Sequence, residues 1–78
     1  MTRELLQEAN KLNHSITELE AQYKIVESML HYSDTLTLHC PDIGSVTLSP
    51  EARLDVINTV LGDIDSRKGE LEDRLRLL

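Results

Sequence analysis

The chain has no tryptophan and no phenylalanine, and Tyr23 and Tyr32 are its whole aromatic complement. So few rings build no stacking platform for nucleic-acid bases and leave the core to Leu, Ile and Val. A single cysteine, Cys40, excludes an intramolecular disulfide. Positive charge is scarce as well. Eight basic against fourteen acidic residues give a net charge of −6, and the basic residues are scattered instead of forming the stripe that phosphate contacts need. Direct nucleic-acid binding is therefore not expected. Long apolar runs are missing too: no stretch approaches the ~20 apolar residues of a membrane span. Arg3, Glu4, Gln7 and Glu8 interrupt any run that would read as a signal peptide. The expectation is a protein of the reducing cytoplasm with no membrane contact. Seventy-eight residues make one domain, residues 1–78. A chain of that size buries too little surface to be comfortably stable without metals, disulfides or self-association. Self-association is the expected support.

What the chain does have is a heptad pattern, twice over. Leu5, Ala9, Leu12, Ile16, Leu19, Tyr23, Val26 and Leu30 alternate steps of four and three without a miss. Leu54, Ile57, Leu61, Ile64, Lys68, Leu71, Leu75 and Leu78 do the same, broken only by Lys68. Heptads held this long specify helices that pack along a narrow stripe, each knob fitting a hole on a facing helix. The first helix is predicted over about residues 3–32. Thr2 is its N-cap, and Glu4 and Glu8 lie early, where the positive end of the helix dipole favours carboxylates. The second is predicted over about residues 50–77. Ser49-Pro50-Glu51 supplies an N-cap, a proline whose missing N–H costs nothing at the first helical position, and an acid in the first turn. Arg74 and Arg76 close it at the negative dipole end. Gly62 and Gly69 fall inside it, on the outer face.

Between the helices the periodicity changes. Ser33-Asp34 is a breaker pair, and Thr35 to Cys40 alternates polar and apolar residues as a strand does. Pro41-Asp42-Ile43-Gly44 is turn chemistry, and Ser45 to Leu48 alternates again. A β-hairpin over residues 35–48 would carry Leu36, Leu38, Val46 and Leu48 on one face and the threonines on the other. The whole is a mainly α fold: an antiparallel two-helix coiled-coil hairpin with a small β-hairpin between the helices. The seams match in two registers one heptad apart, setting Lys68 against Leu19 or against Leu12. The first is preferred because it centres the pairing nearer the turn. Lys68 should snorkel toward Glu18 or Glu20.

Ile25, Met29, Val56 and Val60 form a second apolar stripe confined to the half near the strands. With Leu36, Leu38, Val46 and Leu48 they are the predicted oligomer interface. Either the hairpin folds over the stripe or a second subunit docks there, giving a dimer or tetramer. The far half carries Asp63, Asp65, Glu70, Glu72 and Asp73 instead, the predicted partner-binding residues. The order helix, β-hairpin, helix, with the termini together at the coiled-coil tips, resembles the β-type subunit of prefoldin, a tentacled chaperone. The resemblance is one of topology across the whole chain and carries over no functional residue.

A search for chemistry assigns no catalytic residue, no metal ligand and no cofactor. His39 and Cys40, the centre of a cluster with His31 and Asp42, point to opposite faces of a strand, which serves neither zinc nor a Cys–His nucleophile. His14 has no second histidine or cysteine three or four residues away and reads as an exposed surface histidine. Ser49 reads as a cap, and Gly44 and Gly62 form no phosphate loop. The function expected is that of a non-catalytic, acidic, oligomeric adaptor or inhibitor that binds a larger protein. Two alternatives stand beside it. One is a prefoldin-like clamp gripping apolar segments with Leu5, Leu6, Leu77 and Leu78. The other is a homo-oligomeric sponge for a nucleotide-like ligand, with Arg53, His39 or Lys24 supplying positive charge.

Overall fold

The computed structural model describes residues 2–32 and 34–78, so Ser33 of the breaker pair lies outside the described residues. Four elements follow in order: helix α1 (Arg3–Tyr32), strands β1 (Thr37–Cys40) and β2 (Gly44–Thr47), and helix α2 (Pro50–Arg76). Thr2 caps α1, its Oγ1 accepting the Leu5 amide at 3.2 Å. Ser49 caps α2 in the same way, its Oγ accepting the Ala52 amide at 3.2 Å, with Pro50 opening the first turn. At the far end of α2 the Leu77 amide reaches the Asp73 carbonyl at 3.1 Å.

The helices pack antiparallel and, among the described residues, the strands pair only with each other, giving a molecule 51 × 28 × 17 Å. Its core is narrow: Leu12, Ile16 and Leu19 from α1 close on Ile57 and Ile64 from α2. Lys68 Nζ lies 3.7 Å from Glu20 Oε1, which is the register that sets Lys68 beside the Leu19 turn. Its head also lies 3.8 Å from Glu72 Oε1, so the stem covers the seam while the charge reaches its carboxylates at the rim.

Two seam residues at the tips, Leu5 and Leu78, are exposed, and within α2 a third is not where the heptads put it. Leu54 is 45% exposed, and Arg53 is buried in its place. A straight helix advances about 100° per residue, so eleven residues back from Ile64 falls about 20° from the same direction and ten falls about 80° away. A strict seven-residue repeat thus drifts off the contact line, and the packing follows the helix.

Candidate functional site

The strand end is built on Arg53. Its guanidinium Nη2 donates to the Met29 carbonyl at 2.6 Å and lies 3.4 Å from the Leu30 carbonyl, inside a residue only 8% exposed. Those carbonyls belong to the last turn of α1, where helix carbonyls run short of intrahelical donors. A cation there also meets the negative end of the α1 dipole. In the first turn of its own helix the same cation stands at the unfavourable pole. The antiparallel turn-back resolves this by bringing the start of α2 to the end of α1. Sequence reading placed Arg53 among candidate ligand cations and missed this role. The signal was a basic residue in a first helical turn, eleven positions before an apolar seam residue.

Beyond this junction stands the hairpin. Its ladder pairs Thr37 with Thr47, Leu38 with Val46, His39 with Ser45 and Cys40 with Gly44. The Leu48 amide adds a rung to the Leu36 carbonyl at 2.8 Å. The Ile43 amide closes the turn on the Cys40 carbonyl at 3.1 Å, with Pro41 and Asp42 between, and Gly44 follows at φ 135°, a conformation side chains resist. Alternation divides the faces. Thr37 and Thr47 approach at 3.2 Å between hydroxyls on one side, beside His39 Nδ1 and Ser45 Oγ at 2.6 Å. Leu36, Leu38, Val46 and Leu48 occupy the other.

No strand lies against a helix among the described residues, so the hairpin does not cover the second stripe. Leu38 is 54% and Val46 64% exposed; Leu36 and Leu48, at the hairpin root, are half-buried. On the helices Ile25 is 60% exposed and Val60 is exposed, with Met29 and Val56 half-buried. Tyr32, Ile43 and Leu54 are exposed at the same end, whereas the tips expose Leu5, Leu6, Leu77 and Leu78. Exposed large apolar side chains thus gather at two poles, with a charged shaft between.

Along that shaft Asp63, Asp65, Glu70, Glu72 and Asp73 are all exposed. Asp63 lies 3.7 Å from Arg67, Glu72 reaches Lys68, and Asp73 meets Arg76. Arg74 crosses to Glu8 at 3.5 Å and ties the tips. Asp65 and Glu70 enter no ion pair among the described residues. Asp65 borders a cleft with Glu20, Tyr23, Lys24 and Lys68; Glu70 borders another with Ser15, Glu18 and Arg67. His14 is exposed and lies 3.1 Å from Glu18. The three cations considered for a small ligand are apart: Lys24 lines the first of these clefts, His39 a hollow of the hairpin, and Arg53 neither. Among the described residues no group of three or more His, Cys, Asp and Glu is arranged to hold a metal ion, and no helix is long and apolar enough to cross a membrane. Comparison with protein-family models, curated proteins and solved structures gives no match.

Proposed function

We propose that the chain is a non-catalytic adaptor or inhibitor of the cytoplasm, a homo-oligomer joined at the strand end that occupies a surface of a larger protein with its acidic arms. The observation that carries this reading is the exposed carboxylate set of α2, Asp63, Asp65, Glu70, Glu72 and Asp73. Three of the five touch basic side chains of their own chain, but exposed pairs of this kind are worth ~0–1 kcal/mol. A partner's basic patch competes with them at little cost and gains long-range attraction from the net charge of −6.

The test is co-purification at low salt with the wild type and with Glu70→Lys, Glu72→Lys and Asp73→Lys combined. Surface changes of this kind usually alter stability by less than ~0.5 kcal/mol each, so helicity should be retained. Loss of a wild-type partner from the triple variant, with reduced salt dependence of what remains, is the expected outcome; unchanged affinity overturns the arm assignment. A second reading rests on the apolar tips. Exposed Leu5, Leu6, Leu77 and Leu78 suit a clamp for apolar segments, whose mark is a heterogeneous set of unfolded clients insensitive to the triple change.

A further inference from the structure

We infer that the hairpin is half of a sheet completed by a second copy of this chain, edge strand to edge strand about a two-fold axis. This deepens the oligomeric part of the reading above and is independent of whether the arms bind a partner. The hydrogen bond from the Leu48 amide to the Leu36 carbonyl fixes which backbone groups are spent inside the hairpin. With the observed pairing, that bond makes Leu36/Leu48, Leu38/Val46 and Cys40/Gly44 the bonded pairs, whose backbone groups point into the hairpin. By the alternation of an antiparallel ladder, the N–H and C=O of Thr37 and His39 point outward at one edge, and those of Ser45 and Thr47 at the other.

Neither edge is defended. Natural edges carry charges, prolines, bulges or covering elements, yet Thr37–Cys40 and Gly44–Thr47 hold no Lys, Arg, Asp, Glu or Pro, and no helix lies against them among the described residues. A two-stranded sheet without a packed face is marginal in water, and three or more strands change that. The need is permanent, so the occupant must always be present, and a second copy is. An antiparallel edge pairing is also self-complementary under a two-fold, as a closed dimer requires. The register that uses both outward residues of one strand centres on Leu38 facing its copy, or on Val46 facing its copy.

The surface area agrees in size. The chain exposes 6144 Å², whereas a compact monomer of 8.9 kDa exposes about 4,800 Å². The surplus of about 1,300 Å² exceeds the roughly 800 Å² each partner contributes to a standard interface. Exposed Leu38, Ile43 and Val46 sit at this end, where the two-fold brings both copies together.

The test uses the full chain. Native mass should read twice 8.9 kDa, or four times if both edges pair. Thr37→Pro with Ser45→Pro removes one outward N–H from each edge while leaving the hairpin's own ladder intact, and should drop the mass to that of one chain. Because a lone chain can fail to fold, cross-linking is measured on the otherwise unmodified protein. In a Cys40→Ser background, Leu38→Cys or Val46→Cys faces its own copy at a Cα separation of about 4.5 Å, within the disulfide range of about 4.4–6.8 Å. One of the two should form an inter-chain disulfide far above a Gly62→Cys control on the outer face of α2, and which one does identifies the edge. A helical monomer at tens of micromolar, or an oligomer in which neither cysteine cross-links above the control, overturns the inference. Partner capture by the arms can survive either result, so the two readings fail separately.

Discussion

At the residue scale the fold turns on Arg53. Buried carbonyls left without donors are costly, and hydrogen bonds from charged groups contribute ~1.5–3 kcal/mol. Arg53→Met fills a similar volume but strips the donors from Met29 and Leu30. It should lower stability in urea by about 2–3 kcal/mol, measured at one fixed protein concentration because assembly contributes to stability. Arg53→Lys keeps the charge without the planar fork and should recover only part. An unchanged midpoint in the Met variant would mean that water serves those carbonyls equally well. Gly62 and Gly69 behave in the opposite sense. Nothing lies within 4 Å of where a Cβ would project at either site, and both occupy ordinary helical backbone. Alanine at each should raise stability by about 0.5–1 kcal/mol, with the two gains adding because the sites do not touch.

At the element scale, what the sequence disclosed depended on how local each determinant is. Both caps, the proline at the start of α2 and the polar–apolar alternation of the hairpin are written within four or five residues, and the elements start and stop near where those signals stand. The strands, Thr37–Cys40 and Gly44–Thr47, are shorter than the alternating segment, although one further rung, from the Leu48 amide to the Leu36 carbonyl, extends the ladder at its root. The buried end of α2 was less legible, since Leu54 and Arg53 differ by one position and only helical drift over eleven residues decides between them. Whether the hairpin would lie over Ile25 and Val60 was not legible at all, because hydrophobic patterning marks which face seeks burial and not what covers it. The hairpin's own test is Gly44, whose φ of 135° costs a side chain of order 1–3 kcal/mol. Gly44→Ala should abolish amide-exchange protection in residues 37–47 and, because assembly runs through the hairpin, also weaken the protection of Leu12, Ile16 and Ile64, though less. Retained hairpin protection would show that the turn can relax to a conformation alanine accepts.

On the scale of the whole molecule the governing fact is slenderness. The radius of gyration is 16.7 Å, against about 11.5 Å for a compact domain of this length, and among the described residues only five apolar side chains are buried. Such a chain obtains little stability from within, so folding and assembly should be one equilibrium. The melting temperature should then rise by a few degrees for each tenfold increase in concentration, because mass action favours the associated native state. Carboxylates on the second stripe should reverse that gain. Met29→Asp with Val60→Asp puts two charges on the strand-half face, where an interface would have to desolvate them, so oligomer mass and melting temperature should fall together. A single exposed change on the opposite arm, such as Gln7→Ala, should move neither by much. The decisive comparison is sedimentation and melting of one sample over a hundredfold range of concentration. A flat melting temperature with a constant mass of one chain would mean that five buried side chains and the Arg53 junction suffice, and that the exposed strand end is reserved for a different protein.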